Sequence, residues 1–275
     1  MTPEDPNLDD ARIRTTDRHD GALTDDIVFR GPDGLDVEAY VVRPDADRAT
    51  STGAGRGPGL VMWHWLDNEA PDGNRSQYLD EAAELAAEGV VSLLPQGRFP
   101  WVTPPSGADA DVAAIGAEVA RLRAGIDLLA GRRDVDAGRL GVVGHDFGGM
   151  LATVAAAEDS RLRALVIVAA TPRWGDWFLP FWQIADDRID YLRAMRPVDP
   201  IERIAEAAPA SVLFQFAERD YYIAPMSARE FLRAAPEATG YKTYDTGHDM
   251  RLPEIRTDRR AFLSRALGVG QNGIA

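Results

Sequence analysis

The stretch GVVGHDFGGM, from Gly141 to Met150, decides the fold that the sequence predicts. Its first residues are apolar like a buried strand, a turn carrying Asp146 follows, and then a segment typical of a helix begins. A nucleophile on such a turn stands clear of the sheet, and the strained backbone requires small neighbours. Gly144, Gly148 and Gly149 lie two residues before, two after and three after Asp146. The spacing indicates a turn that presents Asp146, although glycine and aspartate are also common in ordinary turns.

Short apolar runs alternate with helical segments on both sides of this turn. The predicted strands are GLVMWH, VVSLLP, LGVVGHD, RALVIVAA, SVLFQFA and YKTYD, and IVFR and LDVEAYVV flank a hairpin turn at GPDG. Between two of these strands, apolar residues recur at steps of three and four, which predicts a long helix with one buried face. They are Val112, Ile115, Val119, Leu122, Ile126 and Leu129. This alternation predicts an α/β fold, a mostly parallel sheet with helices on both faces.

The chain divides into a tail and one domain. Residues 1–24 are acidic and poor in apolar side chains, which predicts a loose tail or arm. We expect one α/β domain over 25–275, with a glycine-rich surface loop at 45–59. Residues 171–209 interrupt the alternation and hold half of the six tryptophans within nine positions. This segment predicts a short, aromatic-rich cap inserted into the domain.

Composition excludes several classes of function. The chain has 275 residues, with 30 basic and 44 acidic side chains and a net charge of -14. That charge repels nucleic acid and anionic lipid surfaces. The absence of cysteine excludes disulfides, thiol nucleophiles and zinc–thiolate sites. The N-terminus does not resemble a secretory signal, and no apolar run approaches the roughly 20 residues of a membrane helix. We expect a cytoplasmic monomer or homodimer that acts on a small molecule without a cofactor or metal.

Two further polar residues follow predicted strands. Asp220 comes just after SVLFQFA, and His248 comes just after YKTYD. Together with Asp146, they follow the chain order nucleophile, acid, histidine, each at the carboxyl end of a strand. Open α/β sheets assemble their sites at that edge. The order predicts a catalytic triad of Asp146, His248 and Asp220.

Elimination among the four histidines also selects His248 as the base. His19 lies in the predicted tail, and His64 ends the strand GLVMWH. His145 is adjacent to Asp146 and points elsewhere if Asp146 points into the site. An isolated loop histidine is usually a surface residue, but the position of His248 in the chain order favours catalysis.

From about residue 25 onward, the chain resembles the α/β-hydrolases. DVDAGRLGVVGHDFGG and the D…GH ending are similar to the dienelactone hydrolase group, whose members carry cysteine or serine at the apex of the turn. Aspartate within G-H-D-x-G-G instead resembles haloalkane dehalogenases and soluble epoxide hydrolases. Where these relatives have His-Gly after the third strand of the fold, this chain has His64-Trp65. The resemblance implies an α/β-hydrolase fold and a hydrolytic site.

An apical aspartate changes the chemistry that the resemblance implies. A carboxylate is already ionised at pH 7, whereas serine and cysteine need a base. Its attack on a saturated carbon gives an ordinary ester, whereas attack on an ester carbonyl gives a mixed anhydride. We therefore expect an alkyl ester on Asp146, hydrolysed by water that His248 and Asp220 activate. Backbone N–H groups of Phe147 and Trp65 are the expected oxyanion donors.

The leaving group requires polar donors near the site. Indole N–H groups suit a halide, and the candidates are Trp65, Trp174, Trp177 and Trp182. An epoxide oxygen needs acidic hydroxyls, and the candidates are Tyr191, Tyr221 and Tyr222. Packing of the cap is the alternative role of these aromatic side chains. Arg173 is a candidate for binding a substrate carboxylate, with an ordinary surface position as the alternative.

Three functions follow from these residues. The first is hydrolysis through Asp146 at a carbon–halogen bond or an epoxide, and the tryptophans favour dehalogenation. The second is an esterase or lactonase similar to dienelactone hydrolases, with Asp146 as a base or an unusual nucleophile. The third is a hydrolase fold used only for binding, against which the presence of both Asp220 and His248 argues.

Overall fold

A single sheet of nine strands organises the computed structural model, which describes residues 11–19, 21–45, 56–67, 69–182, 186–207, 210–237 and 239–269. The strands are β1 Ala11–His19, β2 Ala22–Arg30, β3 Asp36–Pro44, β4 Gly57–Trp63, β5 Val91–Pro95, β6 Val135–His145, β7 Leu162–Val168, β8 Ser211–Ala217 and β9 Gly240–Tyr244. Their order in the sheet is β1-β2-β3-β5-β4-β6-β7-β8-β9. Neighbours from β5 to β9 are parallel, whereas β1–β2, β2–β3 and β3–β5 are antiparallel.

Seven helices lie between the strands of the parallel part, and an eighth follows the last strand among the described residues. They are α1 Leu79–Ala86, α2 Ala108–Gly131, α3 Phe147–Glu158, α4 Gly175–Phe181, α5 Arg188–Met195, α6 Pro200–Arg203, α7 Pro225–Ala234 and α8 Pro253–Leu267. Short 3-10 turns occupy Arg75–Tyr78, Arg196–Val198 and Ile204–Glu206. Among the helices of the described ranges, none is both long enough and apolar enough to cross a membrane.

Each face of the sheet carries its own apolar layer. Along β7, Leu165 and Ile167 pack with the layer that holds α2 and α3, whereas Val166 and Val168 pack with the layer of α1 and α8. This alternation follows from the two-residue period of a strand. The predicted mostly parallel sheet with helices on both faces is therefore confirmed.

The predicted long helix is α2, and its buried face is the predicted one. Five of the six apolar positions that define this face are buried, and the sixth, Val112, is partly buried against the same layer. The hairpin at Gly31–Gly34 also forms, between β2 and β3. Local spacing and turn chemistry were sufficient signals at both places.

The predicted tail over 1–24 is wrong from Ala11 onward. Residues 11–19 form β1, which pairs antiparallel with β2 at the edge of the sheet. Eight of the nine residues of β1 are exposed, so this strand needs few apolar residues. Polar contacts hold it instead, including the Arg14–Glu38 ion pair at 2.8 Å and the Thr16 hydroxyl donating to Asp25 at 2.7 Å. Residues 1–10 lie outside the described part.

Two other predicted segments are only partly described. In the predicted loop at 45–59, residues 46–55 lie outside the described part, and its last three residues begin β4. In the predicted cap at 171–209, the described residues form α4, α5 and α6 between β7 and β8. Residues 183–185, 208 and 209 of that segment lie outside the described ranges.

The contact between β6 and α3 generates a stability prediction. A Cβ built on Gly144 would lie 2.2 Å from the carbonyl oxygen of Gly148. We expect Gly144→Ala to lower the free energy of unfolding by at least about 2 kcal/mol, because neither backbone segment can move without displacing the turn. Urea unfolding of wild type and variant would measure the difference.

Gly116 provides a matched control on the exposed side of α2. A Cβ there meets nothing within 4 Å. Gly116→Ala is therefore expected to raise the free energy of unfolding by about 0.5–1 kcal/mol through helix propensity. Equal effects of the two substitutions would contradict the steric explanation.

Candidate active site

Asp146 occupies a strained turn between β6 and α3. Its backbone angles, φ 55° and ψ −118°, lie in a region that residues other than glycine seldom adopt. The Asp146 N–H donates to the carbonyl of Val168 on β7 at 2.9 Å, and its carbonyl accepts from the Met150 N–H at 3.0 Å. The turn is thus fixed to the sheet on one side and to the helix on the other.

Gly148 lets the first turn of α3 approach the neighbouring strand β4. A Cβ on Gly148 would lie 2.4 Å from the carbonyl oxygen of Trp63. Any larger residue would push the helix away from the sheet and rotate Asp146 with it. The predicted need for small residues around Asp146 therefore has a direct steric cause.

The three predicted triad residues lie together at the carboxyl ends of their strands. His248 Nδ1 is 2.9 Å from Asp220 Oδ2, and His248 Nε2 is 3.9 Å from Asp146 Oδ2. The second distance is too long for a hydrogen bond. Each of the three side chains is at most 5% exposed. The ring of His248 therefore joins Asp220 on one side to Asp146 on the other.

Asp220 is held firmly in its position beside His248. Its Oδ1 accepts hydrogen bonds from the backbone N–H groups of Tyr222 at 2.9 Å and Ile223 at 3.0 Å. These bonds leave the carboxylate facing the Nδ1 edge of the histidine ring. They fix the orientation in which Nε2 points to Asp146.

Burial and charge act in opposite directions on the site. Burial raises the pKa of Asp146, and the nearby His248 ring and the Phe147 amide lower it only in part. Burial alone would lower the pKa of His248, but Asp146 and Asp220 outweigh it and raise that pKa to about 9. The two carboxylates therefore favour the imidazolium form of His248 in the resting site.

Three buried polar atoms in this region lack a hydrogen-bond partner among the described residues. They are Asp146 Oδ1, His248 Nε2 and Trp177 Nε1. Buried polar atoms are normally paired, so a group of unpaired ones is unusual. The rings of Trp177 and His248 lie 5.7 Å apart between centroids. The three atoms thus offer an acceptor, a titratable nitrogen and a donor to a bound molecule.

Aromatic rings form the walls around His248. Its ring centroid lies 5.0 Å from that of Tyr222 and 5.6 Å from that of Trp65. The Phe147 ring is 5.2 Å from Trp177 and 6.2 Å from Trp182. The predicted residues Trp65, Trp177, Trp182 and Phe147 therefore all border the aromatic region around the triad.

The polar groups of three other predicted substrate contacts are bonded within the protein instead. The Trp174 indole donates to the Val198 carbonyl at 2.9 Å, and the Tyr191 hydroxyl donates to Asp111 at 2.7 Å. Arg173 forms an ion pair with Glu230 at 2.8 Å. These interactions tie the predicted cap to itself and to the domain beneath it. Contact of these three groups with a substrate stays a prediction.

Two neighbouring tyrosines differ in their surroundings. Tyr221 is 85% exposed, whereas Tyr222 packs against the rings of His248 and Trp177. Tyr222 is thus the tyrosine at the site, and Tyr221 points to solvent. In the sequence, both tyrosines directly follow Asp220, and no pattern distinguishes the exposed tyrosine from the one at the site.

Trp65 has a partner for the backbone N–H that was predicted to bind an oxyanion. This N–H donates to Gln77 Oε1 at 2.9 Å. An oxyanion at Trp65 would have to displace Gln77. Gln77 itself was missed in the sequence, because a glutamine just before a helix carries no recognisable signal.

The remaining buried histidines are unsuited to act as bases. His64 Nε2 accepts from the Gly97 N–H at 3.0 Å, and burial lowers the pKa of His64 to about 4. Burial also lowers the pKa of His145 well below its usual value. Both rings are therefore neutral around pH 7.

Within the described ranges, no group of three or more His, Asp or Glu side chains is arranged to hold a metal ion.

Comparisons with solved structures show the fold. An acetyl xylan esterase from Paenibacillus sp. R4 aligns over 94% of this chain and 89% of its own, with 20% identity and a TM-score of 0.73. Acetyl xylan esterase 1 from Thermoanaerobacterium sp. JW/SL YS485 aligns over 93% and 87%, with 18% identity and a TM-score of 0.66. A 2,6-dihydroxy-pseudo-oxynicotine hydrolase aligns over 94% and 70%, with 17% identity and a TM-score of 0.67.

Together with the strand order and the turn at Asp146, these alignments establish that the chain has the α/β-hydrolase fold. The fold expected from the sequence is thereby confirmed. No protein-family model matches the chain, and no curated protein sequence matches it either.

The geometry predicts how the charge of Asp146 affects His248. Asn keeps the shape of Asp and tolerates a positive φ, so Asp146→Asn removes the charge with little steric change. We expect the pKa of His248 to fall below about 9, because one of the two carboxylates that raise it is lost. Titration of the histidine ring signals by NMR would measure this shift.

Asp245→Asn is the matched control, since its side chain is 76% exposed and pairs with Arg219 at the surface. That substitution should leave the titration of His248 unchanged. An unchanged pKa in Asp146→Asn would contradict the placement of Asp146 beside His248.

Proposed function

We propose that the protein is a hydrolase in which Asp146 is the nucleophile, His248 is the base and Asp220 orients the base. The observation that carries this proposal is the line from Asp220 through His248 to a strained, buried Asp146. A buried carboxylate next to a histidine is costly to maintain without a use for it. The unpaired atoms of Asp146, His248 and Trp177 support a bound substrate over a purely structural role.

The first step forms a covalent ester. An oxygen of the Asp146 carboxylate attacks a saturated carbon of the substrate, and the leaving group departs with the electron pair of its bond to that carbon. The unpaired N–H of Trp177 is the donor best placed to stabilise the leaving group. Esterification removes the negative charge of Asp146. The pKa of His248 therefore falls, and its ring can lose the proton that the resting site favours.

The second step hydrolyses the ester. Neutral His248 takes a proton through Nε2 from water, which attacks the Asp146 carbonyl carbon. Asp220 stabilises the imidazolium that forms. The tetrahedral intermediate then expels the alcohol, which receives the proton from His248. The acid left on Asp146 gives its own proton to His248, which restores the carboxylate and the imidazolium of the resting site. The 3.9 Å between His248 Nε2 and Asp146 Oδ2 leaves the two groups unbonded, so that a water can approach both.

Carboxylic ester hydrolysis is the second candidate. It is favoured by the comparisons, because two of the structural neighbours are named acetyl xylan esterases. These names support ester substrates over haloalkanes and epoxides. In this mechanism, His248 activates water directly against the ester carbonyl, or Asp146 forms a short-lived mixed anhydride. The triad geometry serves both candidates, and the site of isotope incorporation separates the alkyl-ester route from direct attack by water.

Uncharged substrates suit this site better than anionic ones. Two carboxylates lie within it, and Arg173, the cation predicted to bind a substrate carboxylate, is already paired with Glu230. Aromatic walls add apolar contact. We therefore favour neutral alkyl halides, epoxides or esters over haloalkanoates.

Removal of the base is expected to trap the alkyl intermediate. His248→Gln should allow the first step and stall the second, so the Asp146 peptide gains the mass of the substrate's alkyl group. Intact-protein and peptide mass spectrometry after incubation with haloalkanes, epoxides or esters would detect it. The increment distinguishes halide loss from epoxide addition. His19→Gln, at the exposed end of β1, is the matched control and should form no stable adduct.

Isotope labelling tests the ester pathway in the wild-type protein. During a single turnover in ¹⁸O-labelled water, attack on the Asp146 ester places the label in the Asp146 carboxylate, and the alcohol product receives an unlabelled oxygen. Direct attack by water on a carboxylic ester places the label in the released acid. Label in the acid, with an unlabelled Asp146, would replace the first candidate with the esterase.

A further inference from the structure

We infer that Gln77 is a positioning residue, which joins the backbone at Trp65 to the catalytic His248 through the ring of His145. This inference rests on the proposed function of His248 as the base. The geometry that points to it is a continuous chain of hydrogen bonds between the two loops. Of the triad residues, only His248 takes part in this chain, and it does so through its backbone carbonyl.

Three hydrogen bonds make up the chain. Gln77 Oε1 accepts from the Trp65 N–H at 2.9 Å, and Gln77 Nε2 lies 2.7 Å from His145 Nδ1. His145 Nε2 lies 2.8 Å from the carbonyl oxygen of His248. The side chain of one glutamine thus spans from the loop after β4 to the residue before Asp146.

Only one arrangement of protons satisfies the whole chain. A backbone N–H can only donate, so the oxygen of Gln77 faces Trp65 and its NH₂ group faces His145. His145 Nδ1 must then accept, which places the ring proton on Nε2. That proton is donated to the His248 carbonyl. The His145 ring is therefore neutral, in agreement with its complete burial and with its lowered pKa.

The Trp65 end of the chain is anchored as firmly as the His145 end. The Trp65 carbonyl accepts from three donors, which are His64 Nδ1 at 3.0 Å, Trp101 Nε1 at 3.1 Å and Asn74 Nδ2 at 3.3 Å. Gln77 completes this set by holding the N–H of the same residue. A fixed Trp65 can therefore serve as the reference against which the His248 loop is positioned.

Ring contacts couple the same residues. The Trp65 ring stacks on His145 with 5.5 Å between centroids, and the His145 and His248 rings are 5.4 Å apart. The charged groups that act on His145 are His248 and Arg259, and both disfavour its protonation. Gln77, with its uncharged amide, keeps the ring neutral. A charge on His145 at this distance would disfavour the imidazolium form of His248.

Gln77→Glu tests the chain by reversing its polarity. A carboxylate can only accept, so it keeps the bond to Trp65 but requires a proton on His145 Nδ1. Wild type should show His145 with Nε2 protonated and Nδ1 unprotonated in ¹⁵N NMR at pH 7, and the variant should show Nδ1 protonated. With four histidines in the chain, the ring signals can be assigned individually. An unprotonated Nδ1 in Gln77→Glu, with the new carboxyl group shown to be ionised by ¹³C NMR, would overturn the inference.

Gln77→Met tests positioning without adding a charge. It removes both hydrogen bonds of the amide at similar length, and we expect kcat to fall about 10- to 100-fold with KM changed less than threefold. Asp127→Asn is the control, because its side chain is 64% exposed and pairs with Arg161 at the surface. That control should leave kcat and the His145 signals unchanged.

The two readouts separate this inference from the proposed function. If no substrate is turned over, the proposed function fails, while the NMR states of His145 still test the hydrogen-bond chain. An unchanged kcat in both Gln77 variants of an active, folded enzyme would overturn the positioning role. A titration of His248 that shifts to lower pH in Gln77→Glu would support it, because the protonated ring of His145 lies between the added carboxylate and His248.

Discussion

The close approach of the backbone around Asp146 is the constraint on which the rest of the structure depends. Gly144 and Gly148 bring β6, α3 and β4 closer together than a Cβ would permit, and the aspartate between them takes a conformation unusual for its type. Such strain persists only where surrounding interactions over-determine it. Here the bond to Val168 and the buried layers on both faces of the sheet supply them. The position of the carboxylate is thus set by the fold itself.

The two carboxylates of the site have different roles in the proposed mechanism. Asp220 orients His248, and Asp146 reacts. Asp220 accepts from two backbone donors and faces the His248 ring, so its proposed role is to hold that ring. Asp146 Oδ1 has no partner among the described residues, which leaves it available to a substrate. In the proposed mechanism the negative charge of Asp146 has two roles. The charged carboxylate first attacks the substrate, and the loss of its charge on esterification then lowers the pKa of His248, so that His248 can act as a base.

The sequence predicted the elements whose signals are local or follow chain order. The periodicity of α2, the glycines around Asp146 and the order of Asp146, Asp220 and His248 all belong to this kind. It missed β1, because eight of the nine residues of this strand are exposed and form no apolar face. It also missed the capture of the Trp65 N–H by Gln77, because that contact depends on how two loops meet in space. Pattern predicts which residues can act, whereas packing decides which of their atoms are available.

The two outer strands of the sheet have a consequence for solubility. An exposed strand edge is a template on which another chain can add, and charged side chains on it disfavour such pairing. β1 carries arginines and an aspartate along its exposed length, and β9 carries Lys242, the only lysine of the chain. At each side, the sheet therefore ends in a strand that discourages aggregation. The polar composition that hid β1 from pattern recognition is the same property that protects the sheet from self-association.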